Sequence, residues 1–283
     1  MAIPIYAGKL ERTWYYSYRV ICTLIFLFLI LPILIIIPLS FNVQPYFTFT
    51  PEMMSLDPAG YSLRWYEEFF ASEVWMKSIK NSFSVAIAST ILATTLGTLA
   101  ALGLSRPEMP YRALIMSILI SPMIVPLIIS AAGMFFFYSS VNLAGSFLGL
   151  ILAHTALGIP FVVITVTATL SGFDYSLTRA AASLGASPRT VFFKIMLPLV
   201  TPGVISGALF AFITSFDEVV VAIFIAGPEQ RTIPLQMWGG IREQISPTIL
   251  AVATILVAIS IMLLTVLELL RRRSEKQRGL TPG

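Results

Sequence analysis

The chain has one cysteine and one histidine among 283 residues, and only 11% of its residues carry charge. Cys22 has no second thiol to pair with, so no intrachain disulfide forms and cysteine usage reveals nothing of the redox compartment. No group of His, Cys, Asp and Glu stands at metal-ligand spacing; no metal site and no cofactor of the chain's own is expected. A Gly-x-x-x-x-Gly-Lys-Ser/Thr phosphate loop is also missing, which excludes nucleotide hydrolysis by that signature. Nor does a nucleophile with its base occur at recognisable spacing, so the chain reads as a non-enzyme without catalytic residues. So little charge lies far outside the range of a soluble domain.

What the chain has instead is apolar length. Hydrophobic residues make up 57% of it, and six runs reach the roughly 20 residues a helix needs to cross a bilayer. The expected fold is all-α: one polytopic membrane domain over 1–283, with spans at 20–41, 78–104, 113–138, 147–171, 203–226 and 248–270. The first run is long and ends in Pro38-Leu39-Ser40-Phe41 without a small-residue cleavage site, so it reads as an uncleaved span rather than a secretory signal. Ser62 to Phe70 looks like a short amphipathic helix whose Trp65 and Tyr66 suit the membrane surface. In the second span, Ser82, Ala86, Ser89, Ala93, Gly97 and Ala101 recur every three or four residues and form a face along which another helix can approach. Pro122 and Pro126 remove hydrogen bonds from the middle of the third span, which predicts that it lines the bundle centre. The fourth carries His154 and an expected break at Gly158-Ile159-Pro160.

Ser215-Phe216-Asp217-Glu218-Val219 falls within the expected fifth span, and each charge there costs on the order of 2.5–3.5 kcal/mol facing lipid. Adjacent helical residues point about 100° apart. One carboxylate is therefore expected to face a pathway and the other to pair with a neighbouring group. Ser215 and His154 join them as candidate pathway residues. An equally open reading is that the carboxylates only hold helices together.

The one long polar segment between two spans is Asp174 to Pro198. Ala180, Ala181 and Ala182 favour a helix, Asp174 and Ser176 can cap its start, and Gly185 can end it in a left-handed conformation. Ser187 and Pro188 then open a second helix expected to wind to Met196, before Pro198. Thirteen of the 18 basic residues, Arg106, Arg112, Arg179, Arg189 and Lys194 among them, fall on one side if both termini share it. By the positive-inside rule that side is cytoplasmic.

Ala180, Ala181 and Gly185, followed by Ile195, Leu197 and Pro198, resemble the EAA motif of permease subunits of binding-protein-dependent ABC importers. Arg179 stands where the motif has a glutamate. The resemblance implies the type I importer permease fold in a bacterial inner membrane, with Arg179, Ala180, Ala181, Ala182, Gly185, Ala186, Ile195, Leu197 and Pro198 coupling to an ATPase. It also implies the partners: a second permease subunit, two ATPase subunits that bind ATP and Mg²⁺, and an extracytoplasmic substrate-binding protein. His154-Thr155 with Pro160-Phe161-Val162-Val163, Ser215 to Val220, and Gly227-Pro228 with Arg231 to Leu235 look like the second permease subunit of spermidine/putrescine-type importers. The implied function is passage of a polyamine through the membrane, or alternatively of an amino acid derivative or ferric iron. A proton-coupled secondary transporter using His154, Asp217 and Glu218 is the reading from another class.

Overall fold

The computed structural model describes residues 8–106, 108–243 and 246–277. The expected turn residue Pro107 and the basic Arg278 lie outside the described residues, as do 1–7 and 244–245. The described residues contain thirteen α-helices and no strand beyond a single bridge between Asn42 and Tyr61. Contacts divide them into two units: the chain up to Ala71 with the stretch ending at Ile259, and Ser72–Glu243 with the chain from Ser260.

In the first unit α1, Lys9–Leu39, buries no residue in its apolar window, as suits a helix bathed in lipid tails. It begins eleven residues before the expected span, so Lys9, Arg12 and Arg19 are helical. Ser40 ends it, donating its hydroxyl to Ile37 O at 2.6 Å and bonding the Tyr66 hydroxyl at 2.6 Å. A turn of helix, α2 (Pro51–Met54), precedes α3 (Arg64–Ala71). The latter is amphipathic as expected, but Trp65 is not a surface anchor. It is buried with Phe69 one turn on, and its indole N–H donates to Asn42 O at 2.6 Å. Asn42 can offer that carbonyl because its side chain holds the following loop: Nδ2 donates to Tyr46 O and Thr48 O, and Oδ1 accepts from Gln44 N–H.

The second unit is built on three long helices. The first is α4, Glu73–Leu104. The expected third span is instead two helices, α5 (Arg112–Ile124) and α6 (Leu127–Ser140), bent by 103°. Pro126 is responsible: it cannot donate a backbone hydrogen bond and forces Val125 into extended backbone (φ −69°, ψ 135°). Among the described residues α5 buries none and α6 only Ala131, so within this chain neither is central. The second long helix, α7 (Phe147–Ser171), runs unbroken through Gly158 and Pro160. Packing on both sides overrides the local break, as neighbouring helices do for prolines in membrane spans.

Then come α8 (Ser176–Ser183), α9 (Pro188–Val191), a π-helical turn over Phe192–Met196, and α10 (Leu197–Phe216). From Pro188 to Phe216 the chain is one helix of 29 residues. The second hairpin helix therefore does not stop before Pro198. The π turn, in which Leu197 N–H reaches Phe192 O, widens the helix where the ring of Pro198 would strike the carbonyl four residues back. The chain closes with α11 (Val220–Ile225), α12 (Ile233–Glu243) and α13 (Thr248–Gln277), the last having residues in both units. Among the described residues four helices are each long and apolar enough to cross a bilayer, or five if the bent pair forms one span. Thr248–Met262 is the apolar opening of α13, which continues as helix to Gln277 over the expected sixth span.

The three long helices pack in register. Ala93, Gly158 and Ala211 form one layer: a Cβ on Gly158 would lie 3.0 Å from Ala211 Cβ and 3.1 Å from Ala93 Cβ. Four residues along each helix, Gly97 and Gly207 close on Val162, 2.7 and 2.8 Å from where their own Cβ atoms would sit. The numbering rises together in α4 and α7 and falls in α10, so α10 runs opposite to both. Inside a membrane apolar burial gives no drive between helices, so this close approach acts through dispersion. The small-residue face anticipated in α4 is the one buried.

Candidate functional site

Two places gather the candidate residues, at opposite ends of the helix that runs from Pro188 to Phe216. At its start lies the hairpin. Asp174 accepts from the Ser176 amide at 2.8 Å and the Ser176 hydroxyl at 2.7 Å, which starts α8. The Ser176 hydroxyl and then its N–H hold the Asp174 carboxyl below the usual carboxylate range, with Arg179 adding to the effect. At the other end of α8, Gly185 has φ +84°, and two bonds close around it: Gly185 N–H to Ala182 O and Ala186 N–H to Ala181 O, both 3.0 Å. This is a Schellman turn, which requires the left-handed residue that glycine supplies without cost. Ser187 then caps the next helix by accepting from Thr190 N–H.

Arg179, Ala180 and Ala182 are exposed on α8, and Ala181 is half-buried. Ala182 and Ala186 line a cavity of about 370 Å³ with Arg106, Tyr175 and Phe192. Ile195 sits in the π turn; Leu197 packs against the buried cluster that contains Ala101, Val166, Leu170 and Val200, while Pro198 is exposed. Sequence reasoning passed over Leu184, which at 88% exposure stands out beside the turn with the exposed Leu177 behind it. The signal was available: 177, 181 and 184 are apolar at helical spacing.

At the other end the expected continuous fifth span is broken. α10 stops at Phe216, Asp217 caps it, and α11 starts at Val220. The two carboxylates thus sit in a gap between helices rather than inside one. Glu218 is buried and its carboxylate accepts the Val221 amide at 2.6 Å, satisfying a donor that the start of α11 leaves open. Asp217 is exposed, and no described residue hydrogen-bonds or ion-pairs with its carboxylate. Of the pair, then, Glu218 is the one with a neighbouring partner.

Ser215, in the last turn of α10, is buried between two other polar groups. His154 Nδ1 on α7 lies 2.8 Å from its Oγ, and the Ser89 hydroxyl on α4 lies 2.9 Å from it. His154 and Ser215, both grouped as candidates from the sequence, come together, with His154 only 1% exposed. Ser89 was visible only as a small residue on a packing face. No group of three or more potential metal ligands occurs among the described residues.

Beyond α11, the Gly227 to Leu235 stretch is tied to the first turns of α4. Lys77 pairs with Glu229, Asn81 Nδ2 donates to Glu229 O at 2.8 Å and Arg231 O at 2.9 Å, and the Ser82 hydroxyl accepts from Ile233 N–H at 2.7 Å. These bonds account for Lys77, Asn81 and Ser82 in the first turns of α4.

The chain is 32% identical to the spermidine/putrescine transport system permease protein PotC of Haemophilus influenzae over 250 residues, 88% of this chain and 94% of that protein. It is 31% identical to the putrescine transport system permease protein PotI of Escherichia coli K12, covering 92% of each. Among solved structures, a bacterial ABC transporter involved in import of the acidic polysaccharide alginate matches with a TM-score of 0.67 at 16% identity, over 99% of this chain and 100% of that one, which shows the shared fold. Residues 93–276 match the family described as binding-protein-dependent transport system inner membrane component. By the extent of that match and the identity to its relatives, the chain belongs to this family of inner membrane components.

Proposed function

We propose that this chain is one of a pair of permease subunits in an ATP-driven importer, and that the solute it passes is a polyamine handed over by a soluble binding protein. The observation that carries the reading is the single helix from Pro188 to Phe216. At 1.5 Å per residue it is about 43 Å long, with the hairpin turn at one end and the exposed Asp217 carboxylate at the other. ATP and Mg²⁺ belong to two separate ATPase subunits, which dock on α8 through Leu177 and Leu184 with Arg179 at the flank. Both termini and the hairpin face the cytoplasm, in keeping with the distribution of basic residues. When nucleotide draws the ATPases together, α8 moves, and the Schellman turn passes that motion to the long helix. ATP and the loaded binding protein each shift the equilibrium toward the outward-facing state only as far as they bind it better.

A polyamine is a flexible chain of ammonium groups, and Asp217 offers it an unpaired carboxylate at a helix break. A hydrogen bond between charged groups contributes about 1.5–3 kcal/mol. Asp217→Asn should therefore raise the polyamine concentration for half-maximal ATPase stimulation about tenfold or more in the reconstituted complex with its binding protein. Stimulation by putrescine or spermidine, but not by amino acids or ferric iron, is the expected outcome. Stimulation by either of the latter alone would sink the polyamine assignment.

A further inference from the structure

We propose that Ser89 and His154 are positioning residues that set Asp217 in place by anchoring Ser215; this rests on the reading of Asp217 as the carboxylate that meets the solute. The geometry isolates Asp217 by holding the residues around it. Two positions before it, Ser215 is bonded to α4 through Ser89 and to α7 through His154. One position after it, Glu218 is folded back on the Val221 amide. Asp217 is left as the exposed carboxylate between two fixed points.

The three polar side chains form a layer in the same register as the small-residue layers, four residues before Ala93 and Gly158 and four after Ala211. Above it Val85, Leu150, Ala153 and Val221 belong to one apolar cluster, and below it Ala93, Val162 and Ala211 belong to another. A polar layer between two apolar ones specifies register, because sliding α10 by a turn would leave its hydroxyl and the imidazole without partners. With the ring hydrogen on Nε2, the chain runs in one direction: the Ser89 O–H donates to Ser215 Oγ, and the Ser215 O–H donates to His154 Nδ1. The Ser89 hydroxyl has Ala86 O as its other acceptor at 3.2 Å, and the buried Nε2 meets no hydrogen-bond partner among the described residues. The end of α10 is thereby fixed in depth and rotation relative to α4 and α7.

The test uses the whole reconstituted complex with its binding protein, and reads the putrescine or spermidine concentration that half-saturates ATPase stimulation separately from the maximal rate. The variants are H154L, H154N, S89A and D217N, with H154L also combined with D217N. Loss of one hydrogen bond corresponds to about 0.5–1.5 kcal/mol, or about two- to tenfold. H154L and S89A should raise the half-saturating concentration by about fivefold with a smaller change in maximal rate. H154N should restore it, because the Asn side-chain oxygen can occupy the place of Nδ1 and accept from Ser215. In the D217N background H154L should add less than about twofold, since the group being positioned is already gone.

Equal defects in H154N and H154L, or full multiplication of the H154L and D217N effects, would reduce the layer to packing and overturn the proposal. A normal H154L and S89A beside a defective D217N overturns the positioning alone. A D217N complex with unchanged half-saturation instead removes the reading of Asp217 itself. If H154L does not assemble, S89A carries the same comparison against D217N with a change of one oxygen atom.

Discussion

Gly185→Val isolates backbone strain from every other effect at the hairpin. Nothing lies within 4 Å of where a Cβ would sit on Gly185, so the substitution meets no neighbour. Its φ of +84° is the whole obstacle. Holding an L-residue in the left-handed region costs about 1–2 kcal/mol, and a β-branched one lies toward the upper end of the roughly 1–3 kcal/mol spent on strained residues. α8 has eight residues and is largely exposed, so it has little independent stability with which to resist. At about 2 kcal/mol the population holding the Ala186 to Ala181 and Gly185 to Ala182 bonds falls by about thirtyfold relative to the opened turn. The assay is solute moved per ATP hydrolysed in proteoliposomes, for the wild type, Gly185→Asn and Gly185→Val. Asn tolerates positive φ and should couple nearly as well as glycine; Val should hydrolyse ATP with little transport while still reaching the membrane. Wild-type coupling in the Val variant, or equal failure of Asn and Val, would refute the role of the turn.

Three further outcomes follow from packing, capping and charge. Gly158→Val places a side chain where even a Cβ comes within 3.0–3.1 Å of Ala211 and Ala93; overpacking of this kind costs about 1–3 kcal/mol or more, read as a lower melting temperature of the detergent-solubilised complex. Glu218→Ala removes the acceptor for the Val221 amide and should destabilise by about 1 kcal/mol, whereas Glu218→Gln keeps an oxygen at that place and should melt close to wild type. At Asp174 the folded carboxyl titrates below its unfolded value, so its contribution is present above about pH 4 and lost as pH falls through the folded value. The melting difference between wild type and Asp174→Asn should be full at pH 6 and shrink toward pH 3; a difference that grows on acidification would contradict the sign.

Length and periodicity made much of the architecture legible. Runs of about 20 apolar residues announce spans whatever they pack against, because the bilayer demands internal satisfaction of every backbone group. The hairpin was legible for a local reason: Asp174, Gly185, Ser187 and Pro188 act on backbone within a few residues of themselves. The small face of α4 could likewise be read from spacing, since only small side chains let helices meet so closely.

Decisions that depend on a second element were not in the chain's local pattern. Gly158-Ile159-Pro160 and Pro126 are both punctuation by composition, yet the first is carried inside an unbroken helix packed between α4 and α10, and the second bends its span by 103°. Asp217 and Glu218 are neighbours of one chemical type. Glu218 reaches the open amide of α11 while Asp217 remains exposed, a difference fixed by where the helix breaks. Ser89 reads as one more small residue until α10 brings Ser215 to within 2.9 Å of it. Sequence determined that this protein spans a membrane in helices and where its polar hairpin turns, since solvation and backbone preference act locally. Only tertiary structure decided which polar groups meet, because a hydrogen bond across helices needs both partners in place at once.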